Sequence, residues 1–224
     1  MTSQSGTLGI DSIERSLAID GPTAVGKSVV GKGLSKSLSL YFCDTGLMYR
    51  AATLAVLESN ISMDDQVSII SCVQGAGIDL RWESPEEPLA YLAERNVSEL
   101  LRNPLIDKNV SSVAGIQSVR DVLVARQKSV ASRAPVVMVG RDIGKVILPE
   151  ARAKIFLDAS LDERARRRKN EQQLAGIDVT FEAVRRSIAA RDDADDTGHR
   201  SISREQAAAG ANVVETDGVN EDQV

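Results

Sequence analysis

Gly21-Pro22-Thr23-Ala24-Val25-Gly26-Lys27-Ser28 has the pattern G-x-x-x-x-G-K-[ST]. Its glycines let the backbone bend so that successive N–H groups meet a polyphosphate. A helix expected to follow adds its positive N-terminal end. Lys27 is expected to reach the β- and γ-phosphates, and the Ser28 hydroxyl is the expected Mg²⁺ ligand. Gly21, Pro22, Thr23, Ala24, Val25, Gly26, Lys27, Ser28 and Val29 are therefore candidate ATP-binding positions. A chance match in a chain this long has odds on the order of 1%. The flanks fit the motif. Leu17-Ala18-Ile19 reads as a buried strand, and Val30, Leu34 and Leu38 recur at helical spacing. A glycine-rich turn before an unrelated helix would not require that order.

Further along, Leu40–Cys43, Val136–Val139, Ile155–Leu157 and Val213–Val214 are short apolar runs separated by stretches with helical spacing. Strands that alternate with helices predict an α/β domain with a five-stranded, mostly parallel sheet covered on both faces. Ligands of such sheets bind beyond the carboxyl ends of the strands. The residues found there are phosphate-compatible or ligand-orienting: Asp44-Thr45-Gly46 leading to Tyr49-Arg50, then Gly140-Arg141-Asp142, then Asp158. Arg164, Arg166, Arg167, Arg168 and Lys169 follow, and then Arg191 to Asp196. Residues 76–108 differ in texture. Ile78–Trp82 alternates like an exposed strand, Ser84–Pro88 reads as a turn, and Leu89–Leu92 reads as a second strand. This predicts a small lobe inserted at the sheet edge, with a long decorated loop as the alternative.

The 224 residues suffice for one domain, and the 42% apolar fraction suffices for a core of mainly aliphatic residues. A net charge of −5 argues against a general nucleic-acid binder. Cys43 and Cys72 lack paired spacing, so neither a disulfide nor a metal framework is indicated. Residues 1–15 form a polar tail without a signal core, and no apolar run is long enough to cross a membrane. A soluble cytoplasmic protein is expected. One histidine, His199, leaves little room for imidazole chemistry.

Five stretches together resemble the bacterial-type cytidylate (CMP/dCMP) kinases: Ala18–Pro22, Asp44–Arg50, Ser111–Arg120, Gly140–Gly144 and Lys154–Ser160. The resemblance spans residues 16 to about 217. It implies the P-loop nucleoside monophosphate kinase fold, with a substrate-binding insert at about 76–108 and a lid at about 164–204. It further implies phosphorylation of CMP and dCMP by ATP with Mg²⁺, no nucleic-acid or membrane partner, and a monomer. By the same resemblance, Arg50 and Arg141 hold the acceptor phosphate, with Thr45 beside them. Arg191 and Arg200 close with the lid, and Asp195 meets the ribose hydroxyls. Ser111, Arg120 and Asp142 surround the cytosine. Lys27, Arg141, Arg191 and Arg200 are the expected catalytic set.

The chemistry is consistent with those assignments. A phosphate acceptor is already anionic and needs no general base, so catalysis reduces to positioning and charge neutralisation. Guanidinium forks suit phosphate oxygens. Cytosine offers acceptors at N3 and O2 for an arginine and a donor at N4 for a carboxylate, whereas uracil presents an oxygen there. Asp142 is thus expected to favour cytosine over uracil.

Bland alternatives stand beside these readings. Arg141 and Asp142 could pair or cap a helix, and Ser111 could be a surface serine. Arg164, Arg166 and Lys169 read as a solvated helix face, with Arg167 or Arg168 left for ATP. The Asp192–Asp196 cluster could ligate a second metal. The resemblance expects an arginine three residues after Asp195, where Gly198 stands. Arg200 follows two residues later, as if two residues were inserted, with Arg204 a weaker substitute. The resemblance expects a closing helix after Val213–Val214, where this sequence stops at Val224. The alternatives for function are a P-loop kinase of another metabolite or nucleotide, and a nucleotide-binding module with an impaired lid.

Overall fold

The computed structural model describes residues 12–197, 203–220 and 223–224. Its centre is a five-stranded parallel sheet in the order β2-β6-β1-β7-β8. These strands are β1 (Leu17–Asp20), β2 (Tyr41–Asp44), β6 (Val136–Gly140), β7 (Ala153–Asp158) and β8 (Asn212–Glu215). All four residues of β1 are buried, as the middle strand of a sheet covered on both faces must be. It pairs with β6 from Leu17↔Val137 to Asp20↔Gly140 and with β7 from Leu17↔Ala153 to Asp20↔Phe156. This register brings Asp20, Gly140 and the end of β7 to one edge, where Asp44 also ends β2.

Helix α1 (Lys27–Leu38) begins at the phosphate loop and packs closely on the sheet. A Cβ on Gly31 would sit 2.6 Å from Val139 and 2.8 Å from Phe42, so only glycine admits that approach. Helix α2 (Gly46–Glu58) follows β2 and is apolar over most of its circumference. Met48, Ala51, Ala52, Thr53, Leu54, Ala55 and Val56 are buried, which makes it a central helix. Helices α3 (Gln66–Gly75), α4 (Pro104–Gly115) and α5 (Gln117–Ala131) complete that layer. Asn103 caps α4 by accepting from the Leu105 N–H, with Pro104 in the first turn.

Residues 78–96 form a separate antiparallel sheet, β3 (Ile78–Ser84), β4 (Glu87–Leu92) and β5 (Arg95–Asn96). Its tip is bonded to the edge strand β2. The Trp82 indole donates to the Phe42 carbonyl at 2.6 Å, and the Phe42 N–H donates to the Pro85 carbonyl at 2.7 Å. Leu80, Ala90, Leu92, Val97 and Leu101 belong to the same apolar cluster as Met48, Leu123 and Met138. Helices α6 (Leu161–Leu174) and α7 (Phe181–Thr197) pair beside the phosphate loop around a small cluster of Ala165, Val184 and Ile188.

Cys43 is buried in the core, which pushes its thiol far up, and Cys72 is a second free thiol. Val213, on the outer strand β8, is 44% exposed. Among the described residues, no helix is long and apolar enough to cross a membrane.

Candidate active site

The phosphate loop takes the shape its glycines permit. Gly21 has φ 147° and Gly26 has φ 103°, and Ala24 also sits in the left-handed region at φ 60°. A Cβ on Gly21 would lie 2.3 Å from the Leu157 carbonyl oxygen, so this position tolerates no side chain. Val25 points down into the core and anchors the loop. Lys27 turns back over the loop and donates to the carbonyls of Gly21 (2.8 Å) and Pro22 (2.7 Å). Burial, reinforced by the Arg141 charge, brings its pKa from the usual 10.5 to about 7; Asp44 and Asp20 act in the opposite direction.

Ser28 donates to Asp44 at 2.8 Å, and the other Asp44 oxygen accepts the Gly46 N–H at 2.9 Å. These hard oxygen groups at the end of the loop suit Mg²⁺, which prefers few protein ligands plus phosphate and water. The sequence marks Asp44 as a strand-end residue facing the crevice, without a specific partner. Its partnership with Ser28 spans 16 positions and has no local signal. Among the described residues, no cluster of three or more His, Cys, Asp or Glu could hold a metal ion.

Two adjoining cavities, of about 250 and 680 Å³, meet at the loop. Thr23, Lys27, Ser28, Arg50, Ser111 and Arg191 line both. The larger runs between the loop, α4 and the helices α6 and α7, and includes Val29 and Arg168. The smaller runs under α2 and α5 and includes Thr45, Arg120, Gly140, Arg141 and Asp142. Gly21 and Pro22, at the start of the loop, are buried and contribute the carbonyls that hold Lys27.

The candidate acceptor residues are brought together, most of them already bonded. Arg50 donates to the Leu101 carbonyl at 2.9 Å and pairs with Asp107. Arg141 pairs with Asp195 and donates to the Thr23 hydroxyl. Asp195, expected at the ribose, is thus occupied by Arg141 and 1% exposed. Arg120 donates to Asp142 at 2.6 Å, both side chains being 11% exposed. The Thr45 hydroxyl donates to the Val139 carbonyl at 2.9 Å and braces the strand end. Arg200, with Gly198, lies outside the described residues. Arg204 pairs with Asp158 and Glu215, the last residues of β7 and β8, and lines neither cavity.

The basic run of α6 departs from the expected solvated face. Arg166 is exposed, but Arg164 is 7% exposed. Arg164 donates to the carbonyls of Ala159 (3.1 Å) and Thr23 (3.2 Å) and to Asp192 (2.6 Å). A guanidinium is buried there because its Nε and Nη1 donors find acceptors, one of them a carboxylate. Arg167 likewise donates to the Val25 carbonyl at 3.1 Å and to the Thr216 hydroxyl at 3.0 Å. Charge counting missed Arg164 because its acceptors come from elements remote in the chain.

Asp20, the last residue of β1, has no functional signal of its own in the sequence. It is 4% exposed and accepts the N–H groups of Ile143 (2.7 Å) and Gly144 (2.8 Å). Those donors open a π-helical turn, Ile143–Ile147, directly after Arg141 and Asp142. Burial raises Asp20 from 3.8 to about 6, and the two N–H groups oppose the rise. Its role had no local signal, because both donors lie more than a hundred residues away.

A family model described as cytidylate kinase matches residues 17–224. Curated cytidylate kinases align over nearly the whole chain. The one from Caldanaerobacter subterraneus subsp. tengcongensis is 43% identical over 208 residues, covering 93% of this chain and 90% of the relative. Those from Ligilactobacillus salivarius (41%, covering 93% and 92%) and Streptococcus uberis (42%, covering 91% and 89%) are comparable. Among solved structures, the crystal structure of TT1252 from Thermus thermophilus covers 92% of this chain and 90% of its own. At 19% identity and a TM-score of 0.42 it says nothing further about this chain.

Proposed function

The chain belongs to the cytidylate kinase family, and on that premise we propose that the two adjoining cavities bring ATP and CMP together at Lys27. The protein is a phosphotransferase that converts CMP to CDP with ATP. A phosphate oxygen of CMP attacks the γ-phosphorus, a P–O bond forms, the bond to the β-phosphate oxygen breaks, and ADP leaves with that electron pair.

The observation that carries the assignment of sites is the shared rim. Lys27, Arg50 and Arg191 line both cavities. Two polyanions must come into contact there, and three cationic side chains are present to offset their repulsion. In this reading the phosphate loop and the larger cavity take ATP, with Gly21 to Val29 around its phosphates. Arg50, Arg141 and Arg191 take the acceptor phosphate. Ser111, Arg120 and Asp142 take the base in the smaller cavity, and dCMP is a second acceptor. Arrival of acceptor phosphate releases Arg50 from Asp107 and Arg141 from Asp195, which frees Asp195 for the sugar. The polyphosphate restores the charge of Lys27. Ser28, with Asp44, would hold Mg²⁺, which when bound neutralises charge on the β- and γ-phosphates. The lobe at about 76–108 is the substrate-binding insert, and the segment from about 164 to 204 is the lid. On the resemblance alone, the reading extends to a cytoplasmic monomer.

An ADP-release assay with ATP·Mg²⁺ and a panel of CMP, dCMP, UMP, AMP, GMP and shikimate tests this. Turnover confined to CMP and dCMP is expected. ATP binding without turnover on any acceptor would leave a nucleotide-binding module with an impaired lid. Asp142→Ala is expected to lower the CMP/UMP ratio of kcat/KM, and an unchanged ratio would remove Asp142 from base selection.

A further inference from the structure

The smaller cavity is lined in part by Gln127, a buried polar side chain that the family resemblance did not assign. Arg120, Val124 and Gln127 lie at i, i+4 and i+7 on α5, so they share one helix face, and all three line the cavity. Gln127 is 3% exposed, and its Nε2 is buried with no hydrogen-bond partner among the described residues. Arg120 Nε is in the same condition, although the Arg120 Nη2 is engaged by Asp142. The surrounding walls are apolar, made by Val110, Ala114, Ile143 and Ile147.

A buried amide donor left without an acceptor is costly, because it has given up water and received nothing. Such a cost is retained where a ligand supplies the missing partner. Two such donors, on one face of one helix in an apolar slot, define that ligand. It is flat, fits between aliphatic walls, and carries two acceptors side by side. The N3 and C2-carbonyl edge of cytosine has that arrangement. We infer that Gln127 is a specificity-determining residue whose Nε2 donates to this edge of the pyrimidine ring, beside Arg120. The inference rests on CMP being the acceptor. Side chains on a helix lean toward its N-terminus, so Gln127 leans toward Arg120. Its terminal torsion is soft, and the amide can turn to meet an entering ring. The carboxylate of Asp142 is left to judge the substituent at C4, so the two residues read different positions on one edge of the ring.

The reading makes Gln127 costly to the empty protein and useful to the complex, a combination that a purely structural residue would not show. Gln127→Met keeps the length and removes the amide. Titration calorimetry is expected to show CMP binding weakened roughly tenfold with ATP binding unchanged. Thermal denaturation of the ligand-free variant is expected to show a Tm raised by a few degrees. In turnover, KM for CMP should rise with kcat nearly unchanged. CMP affinity within twofold of wild type would overturn the inference, as would a lowered Tm with CMP binding intact. Failure of the wild-type chain to bind CMP would overturn the acceptor reading as well, so the two failures are distinct. Should Gln127→Met not fold, the side-chain amide of Gln127 in ¹⁵N-labelled wild type decides. It should shift on CMP addition and stay in place with ATP, and no shift with CMP would overturn the inference.

Discussion

The lobe β3–β5 and the helical pair α6–α7 are attached to the sheet by different physics. The lobe is continuous with the main core, with Leu80 and Ala90 packed in the same cluster as Met48 and Leu123. The helical pair has a small apolar cluster of its own and otherwise holds on through guanidinium groups. Arg164 grips the Thr23 carbonyl, Arg167 grips the Val25 carbonyl, and Arg141 grips Asp195, while Arg164 and Asp192 tie the two helices together. Apolar attachment is indifferent to ligand. Attachment through the arginine that also faces the acceptor cavity is not, because a phosphate competes with Asp195 for Arg141. The lobe therefore behaves as part of the scaffold, and α6–α7 as the element whose hold changes with nucleotide.

The largest expected effect lies in the lobe. Leu80→Ala should cost about 2–5 kcal/mol of global stability, because it opens a cavity in the shared core. Denaturant unfolding followed by Trp82 fluorescence and by circular dichroism should remain one coincident transition. A lobe that unfolds first would refute the shared core.

Next in size is Arg164→Met, which leaves Asp192 without its partner and should cost about 1–3 kcal/mol. Hydrogen exchange should locate that loss in α7 and leave β3–β5 protected. Equal loss in both would erase the distinction.

The third effect is electrostatic and confined to the nucleotide side. With Lys27 near pH 7 in the free protein, more of it is neutral as pH rises. ATP favours the charged form, so binding above pH 7 takes up a proton. Affinity should fall by up to about tenfold, or 1.4 kcal/mol, per pH unit there. Calorimetry at pH 8 in buffers of different ionisation enthalpy should report the uptake. No proton exchange would mean that Lys27 is charged before ATP arrives.

The smallest effect returns to the lobe. Glu58→Ala removes the partner of Arg95, an exposed pair, and should change stability by less than about 1 kcal/mol. A larger loss would mean that ionic contacts as well as the core hold the lobe.

The sequence made most of this architecture legible where the signal was local. All five core strands were readable as apolar runs, and the phosphate loop as a fixed spacing. Strand β5 was not, because two residues, Arg95 and Asn96, carry no periodicity and owe their pairing to Tyr91 and Leu92. In the site, residue types were legible and partnerships were not. Arg141 could be named from its neighbours, but its pairing with Asp195 depends on how α7 crosses the crevice. Gln127 escaped notice because a glutamine on an amphipathic helix is unremarkable until its burial is known.

Asp20 carries a consequence for recombination. It ends β1 immediately before the phosphate loop, yet its two oxygens are spent on the turn that follows Arg141 and Asp142. A cut after Ile19 that imports a loop from another kinase, without an acidic residue in that place, would appear to alter the donor side alone. It would also release the backbone that carries the two acceptor-side residues. The phosphate loop and the Gly140–Gly144 segment form one transplantable unit, although more than a hundred residues of chain lie between them.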